Sequence, residues 1–121
     1  MDAPVGKLGR GQRGVDVARG SIDARTLRDM LGRDERVVVV DVRKAEEHER
    51  GSVPGSVSFD AYDALNAGEE RALEGLEVPE GTRVVTVCNR GRAASVAAEQ
   101  LRRRGHDAVH LVGGMDAWRS S

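Results

Sequence analysis

The sequence has few residues of the kinds that form disulfides or aromatic cores. Its 121 residues include one cysteine, Cys88, and one each of phenylalanine, tyrosine and tryptophan. A single cysteine excludes an internal disulfide framework and any metal site made of several cysteines, and it suits a reducing compartment. We assign no metal to the three histidines and no cofactor to the chain, and we expect a core of valine, leucine and alanine.

The sequence also lacks net charge and long apolar runs. Lysine and arginine total 19 and aspartate and glutamate total 20, which leaves a formal charge of -1. Such a balance gives no overall basic field for nucleic acid or an anionic membrane. No apolar run approaches the roughly 20 residues of a membrane span, and the N-terminus has no apolar centre of a secretory signal. We therefore predict a cytoplasmic protein with no nucleic-acid or membrane partner.

The length and the distribution of glycine predict one folded domain preceded by an arm. A chain of 121 residues can bury one core and is too short for two. Residues 1–20 are rich in glycine and have no regular hydrophobic period, which is typical of a flexible arm. We predict an N-terminal arm over residues 1–20 and a domain over residues 21–121.

The domain alternates between helical and buried-strand patterns. Asp23 is a predicted N-cap, because Leu27, Met30 and Leu31 follow it at helical spacing and Gly32 ends the pattern. Valine-rich runs precede Asp41 and Cys88 and are typical of strands buried on both faces. A third predicted strand, AVHLV, ends before Gly113 and Gly114. The alternation predicts an α/β fold with a mainly parallel sheet and helices on both faces. Ligands of such sheets bind at the carboxyl ends of the strands.

Cys88 follows one of these strands in the segment VVTVCNRGRAAS, residues 84–95. A lone cysteine there is by base rate more often a small buried apolar residue than a nucleophile. Here, however, the strand turns into a helix whose unpaired N–H groups can face the sulfur. Gly91 lets the loop curl, and Arg90 and Arg92 add positive charge. These features favour an anion site with Cys88 as the nucleophile.

Three segments in this order resemble the rhodanese, or sulfurtransferase, family, over about residues 21–121. They are VVVVDVRKAEEHERG, GSVPGSVSF and the long stretch from VVTVCNRGRAAS to GGMDAW. The resemblance implies a rhodanese-like α/β fold with a central parallel sheet of about five strands. It also implies a thiosulfate sulfurtransferase in which Cys88 becomes a persulfide.

The resemblance also assigns roles around Cys88. It implies that Arg90 and Arg92 hold a small anionic donor such as thiosulfate, with the backbone of Asn89, Gly91 and Ala93 beside the anionic sulfur. The acceptor would be a thiol, cyanide or a sulfur-carrier protein. We predict that Asp41 and Arg43 are supporting residues, and that a local ion pair with Glu46 or Glu47 fixes their loop.

One position departs from the family pattern and leaves a second function open. Many members have arginine five residues after the cysteine, where this chain has Ala93, and Arg92 lies one place early. A helix beginning at Ala93 would turn Arg92 away from the sulfur and leave Arg90 as the main donor-binding charge. The alternatives are a sulfur carrier that acts with a dedicated partner, and a silent recognition domain. Cysteine-dependent phosphatase chemistry is disfavoured because Ala94 stands where those enzymes need arginine.

Overall fold

A computed structural model of the chain describes residues 14–33 and 36–121. Within these residues no helix is long and apolar enough to cross a bilayer. The elements in chain order are β1 (Val15–Asp16), β2 (Ser21–Ile22), α1 (Ala24–Gly32), β3 (Val37–Asp41), α2 (Ala45–Arg50), β4 (Val57–Ser58), α3 (Tyr62–Asn66), β5 (Arg83–Val87), α4 (Arg92–Arg103), β6 (Asp107–Leu111) and α5 (Gly114–Ser120).

The strands form one sheet in the order β1-β2-β6-β5-β3-β4. The five strands from β2 to β4 are parallel, and only β1 is antiparallel to its neighbour. The register of β3 and β5 places Asp41 level with Val87, so that Cys88 leaves the sheet at its carboxyl edge. The predicted α/β fold with a mainly parallel sheet is confirmed.

The sheet has one strand more than the five predicted, and this additional strand, β1, comes from the predicted arm. Residues 1–13 lie outside the described residues, and the prediction of a flexible arm stays untested for them. Residues 14–20 contain β1 and a turn, and Val15 and Asp16 pair with Ile22 and Ser21. The boundary predicted after residue 20 therefore falls inside a hairpin. A two-residue strand has no periodicity from which it could be predicted.

The valine runs are buried because the sheet carries helices on both faces. Neighbouring valines point to opposite sides, so Val40 and Val84 pack with α3 and α4 while Val39 and Val85 pack with α1 and α5. The α4 side is lined by small residues and one leucine, which let the helix approach the sheet closely: Ala93, Ala94, Ala97, Ala98 and Leu101.

The predicted cap at Asp23 and a buried tryptophan hold the outer helices. Asp23 caps α1 by accepting a hydrogen bond from the Thr26 N–H at 2.8 Å. Trp118 of α5 is 7% exposed, and the Arg28 guanidinium of α1 lies 3.8 Å from its ring centroid. Arg28 also donates to the Trp118 carbonyl at 2.8 Å. Trp118 therefore anchors the end of the chain to the core, as expected for a large apolar side chain.

Candidate active site

The sulfur of Cys88 is buried at the turn between β5 and α4 and accepts two backbone hydrogen bonds. The Gly91 N–H lies 3.0 Å from Sγ and the Ala94 N–H 3.3 Å from it. Cys88 is 2% exposed. Two amide dipoles directed at one sulfur favour negative charge on it, which is the arrangement expected of an anion-binding loop.

Both amides are available because of how α4 begins. The helix starts at Arg92, with Gly91 as its N-cap at φ 111°, a conformation that glycine adopts without the cost of a Cβ. Ala94 is the third residue of the helix, so its N–H has no intrahelical acceptor and the sulfur takes that place. Of the residues whose backbone was expected beside the sulfur, Asn89, Gly91 and Ala93, only Gly91 donates to it, and the second donor is the next residue along, Ala94.

The start of α5 holds the Cys88 loop from behind. The Met115 N–H donates to the Cys88 carbonyl at 2.8 Å, and the Asp116 N–H donates to the Asn89 carbonyl at 3.2 Å. A Cβ on Gly114 would collide with both carbonyl oxygens. The backbone of the Cys88 loop therefore approaches Gly114 too closely for any side chain at that position.

A buried threonine ties the strand to the helix beneath the loop. Thr86 is fully buried, and its hydroxyl donates to the Ala94 carbonyl at 2.7 Å. This bond connects β5 to the first turn of α4, close to the Ala94 N–H that faces the sulfur. The threonine lies inside an apolar strand, and its role had no signal in the sequence pattern.

A cavity of about 560 Å³ lies beside Cys88. The predicted residues Asn89, Arg90, Arg92 and Ala93 line it together with Cys88, while Gly91 is buried in the loop. Its remaining lining residues are Glu47, Tyr62, Asn66 and Asp116. Tyr62, Asn66 and Asp116 were not predicted, because α3 and the start of α5 carry no motif that connects them to the cysteine.

The two arginines are exposed at the cavity rather than buried in it. The Arg90 side chain is 88% exposed, and its Nε lies 3.6 Å from Oδ2 of Asp116. Arg92 is exposed and lines the cavity. The expectation that Arg92 turns away rested on a helix beginning at Ala93; because α4 begins at Arg92, this residue stays at the cavity.

Asp41 and Arg43 form a buried ion pair with each other. Nη2 of Arg43 lies 2.8 Å from Oδ2 of Asp41, and each side chain is 1% exposed. Arg43 also donates to the Gly51 carbonyl at 2.7 Å, and Nδ1 of His48 lies 3.0 Å from Oδ2 of Asp41. The network joins the end of β3 to α2 and to the residue after it.

This network lowers the pKa of Asp41, and it shows that the ion-pair partner predicted for Asp41 and Arg43 has to be corrected. Burial alone would raise the pKa of Asp41, but hydrogen bonds from Arg43 and His48 outweigh it, and the pKa lies below its ordinary value. The ion pair predicted with Glu46 or Glu47 is wrong: the chain bends after β3, the Arg43 backbone N–H donates to Oδ1 of Asp41 at 3.0 Å, and the Arg43 side chain returns to the same carboxylate. Glu47 instead accepts from Nδ2 of Asn89 at 3.0 Å.

The comparison with protein families agrees with the fold. The family model described as "Rhodanese-like domain" matches residues 23–121. The chain belongs to the rhodanese-like domain family. A rhodanese-like domain protein from Staphylococcus aureus, whose structure is solved, is 28% identical with a TM-score of 0.64, over 81% of this chain and 89% of that one.

Two curated relatives of this rhodanese-like domain are longer proteins. "Putative sulfur carrier protein YrkF" of Bacillus subtilis is 30% identical over 98 residues, which are 80% of this chain and 49% of that protein. "Probable adenylyltransferase/sulfurtransferase MoeZ" of Mycobacterium tuberculosis is 32% identical over 106 residues, 86% of this chain and 26% of that protein. The chain thus spans half or less of the length of these relatives.

Proposed function

We propose that this chain is a sulfurtransferase that carries sulfane sulfur as a persulfide on Cys88. The observation that carries the proposal is the pair of N–H groups, from Gly91 and Ala94, directed at a cysteine sulfur beside a cavity with two arginines. A sulfur held in this way is suited to be a thiolate nucleophile and to stabilise an anionic sulfur after reaction. The names of the two curated relatives, a sulfur carrier and a sulfurtransferase, support the same chemistry.

The proposed reaction has two halves. The Cys88 thiolate attacks the outer sulfur of thiosulfate, the sulfur–sulfur bond of the donor breaks, and sulfite leaves with the electron pair. The enzyme retains one sulfur atom as the Cys88 persulfide. A thiophilic acceptor, which is cyanide in an assay and a thiol or a sulfur-carrier protein in a cell, then attacks the outer sulfur and releases the Cys88 thiolate.

The surrounding groups have distinct parts in this proposal. The loop amides offset the negative charge of the sulfur in both half-reactions, and Arg90 and Arg92 attract the anionic donor. Asp41 and Arg43 act at a distance by fixing the end of β3 and α2. The chain has one cysteine, so the persulfide cannot be resolved as an internal disulfide, and its sulfur passes to another molecule. The cytoplasm suits this chemistry because it keeps thiols reduced.

Intact-mass measurement of the reduced protein after incubation with thiosulfate tests the proposal. We expect a gain of one sulfur atom that is absent from Cys88→Ser and is reversed by cyanide with release of thiocyanate. Protein that gains no sulfur from thiosulfate or from an organic persulfide would contradict the proposal. A gain that persists in Cys88→Ser would place the chemistry on another residue.

A sulfur carrier serving a dedicated partner is the second candidate. Two observations favour it: Ala93 occupies the position where many family members have arginine, and Arg90 is exposed and paired with Asp116. Both features weaken the hold on a free dianion. A carrier would accept sulfur from a persulfidated protein and release it to another, with little turnover of thiosulfate and cyanide. Steady-state assays with and without a protein donor separate the two candidates.

A further inference from the structure

The charges around the Cys88 cavity are balanced, which has a consequence for the choice of donor. The lining residues include two arginines, Arg90 and Arg92, and two acidic residues, Glu47 and Asp116. Glu47 accepts a hydrogen bond from Asn89, while Asp116 faces Arg90 across 3.6 Å. The cavity therefore has no formal excess of positive charge. An anionic donor would need such an excess, because the buried sulfur that it must approach is itself suited to be anionic.

We propose that Asp116 is a specificity-determining residue that offsets the charge of Arg90 and thereby disfavours the thiosulfate dianion relative to organic persulfides. The inference rests on the proposed function and names the donor class of the same site: a molecule R–S–SH with no sulfonate group. The step balances in the same way as before. The Cys88 thiolate attacks the outer sulfur, the sulfur–sulfur bond of the donor breaks, and the thiolate R–S⁻ leaves with the electron pair.

The position of Asp116 supports this role over a purely structural one. Its backbone N–H binds the Asn89 carbonyl, so the residue is held beside the loop whatever its side chain. The carboxylate itself contacts only arginines among the described ion pairs, Arg90 at 3.6 Å and Arg119 at 3.8 Å, and is 61% exposed. Replacing it with asparagine removes a charge at the cavity and leaves the backbone contacts that hold the loop.

The size of the cavity also favours an organic persulfide over thiosulfate. The cavity of about 560 Å³ is far larger than thiosulfate needs. Tyr62 and Asn66 add uncharged surface from α3 to its lining. Thiosulfate fills little of this cavity, whereas an organic donor can contact Tyr62 and Asn66 while its outer sulfur reaches Cys88.

The test measures how fast Cys88 gains sulfur from two donors, by intact mass in single-turnover experiments. The donors are thiosulfate and the persulfide of 2-mercaptoethanol, whose organic part is uncharged. For Asp116→Asn we expect the rate constant with thiosulfate to rise about three- to ten-fold at low salt, from the Coulomb energy of one charge near a dianion in a watery site. The rate constant with the organic persulfide should change less than about two-fold, and high salt should reduce the thiosulfate effect by screening.

Two further variants control the experiment. Asp107→Asn removes a similarly exposed carboxylate, 58% exposed, at the opposite edge of the sheet, and should leave the ratio of the two rate constants unchanged. Arg90→Gln removes a positive charge at the same cavity and should lower the thiosulfate rate constant, in the opposite sense to Asp116→Asn, again with little effect on the organic persulfide. An unchanged donor ratio in Asp116→Asn, or an equal rise with Asp107→Asn, would overturn this inference alone. Failure of both donors to load the wild-type protein would instead overturn the proposed function.

Discussion

At the scale of single residues, Gly91 is the position on which the geometry of the sulfur most depends. Its φ of 111° is in the region that favours glycine, and a Cβ there would meet no atom closer than 3.5 Å. The cost of a side chain is therefore one of backbone strain and not of collision. Relaxing that strain would turn the Gly91 N–H away from Sγ of Cys88.

We predict that Gly91→Ala destabilises the protein by about 1–2 kcal/mol and slows sulfur loading of Cys88 at least about ten-fold. Gly105→Ala is the matched control, because Gly105 has φ 94°, lies after α4 and has open space around it. It should have a similar cost in unfolding free energy with an unchanged loading rate. Chemical denaturation and intact-mass kinetics measure the two effects, and equal loading by both variants would refute the role given to the Gly91 N–H.

Asp41 is the second residue considered at this scale, because its ionisation makes the stability of the fold depend on pH. Its pKa is lowered in the folded chain, since hydrogen bonds from Arg43 and His48 outweigh the opposing effect of burial. The carboxylate therefore stabilises the fold fully above its ordinary pKa near 3.8. This stabilisation is lost as the pH falls through the lower folded pKa.

We predict that Asp41→Asn costs about 3 kcal/mol or more at pH 7, because it leaves the buried Arg43 guanidinium without its counter-charge. The difference from wild type should shrink as the pH falls below about 4. Urea denaturation across pH 3–7 measures it. Asp63→Asn removes an exposed carboxylate that pairs with Lys44 and should cost little at any pH; a pH-independent deficit in Asp41→Asn would contradict the assignment.

At the scale of elements, α2 connects the end of β3 to the Cys88 loop. His48 of this helix contacts Asp41, and the neighbouring Glu47 accepts a hydrogen bond from the Asn89 side chain. The helix has no buried residue of its own, so these polar contacts, and not apolar packing, set its position. The loop is thus held by α2 through the Asn89 side chain and by α5 through the carbonyls of Cys88 and Asn89.

We predict that Asn89→Ala slows loading of Cys88 by the 2-mercaptoethanol persulfide about two- to ten-fold, the equivalent of one lost hydrogen bond. The substitution leaves the charge of the cavity unchanged, so the effect reports the position of the loop. In a Glu47→Ala background, Asn89→Ala should slow loading little further, since the hydrogen bond between the two side chains is already absent. Additive effects of the two substitutions would show that the contact does not position the loop, and Glu46→Ala on the exposed side of α2 serves as the charge control.

At the scale of the whole molecule, the features that could be predicted from sequence are those with a local signal. Valine runs indicated the buried strands, Asp23 the start of α1, and the cysteine between strand and helix the loop at the carboxyl edge of the sheet. Tyr62, Asn66 and Asp116 could not be predicted at the cavity, because α3 and α5 reach it only through the packing of the chain. The partner of Asp41 was mistaken because several acidic and basic residues lie within a few positions of it.

The hairpin of β1 and β2 is a further feature without a local signal, and His110 connects it to the rest of the sheet. Nδ1 of His110 lies 3.1 Å from the Gly20 carbonyl, at the turn between the two strands. Burial lowers the pKa of His110, and the nearby Arg102 charge lowers it further, against the opposing effect of the Gly20 carbonyl. The folded chain therefore favours the neutral imidazole.

The sign of the resulting pH dependence follows from proton uptake. As the pH falls below about 6.5, the unfolded chain protonates its histidine before the folded chain does, so the free energy of unfolding decreases until the folded pKa is passed. We predict that His110→Gln lacks this decrease. The difference between the variant and wild type should change by less than about 1 kcal/mol over pH 5–8, because the ring is only partly buried. Thermal or urea denaturation at each pH measures it, and a wild-type protein that gains stability relative to His110→Gln on acidification would show that the ring is held protonated in the fold.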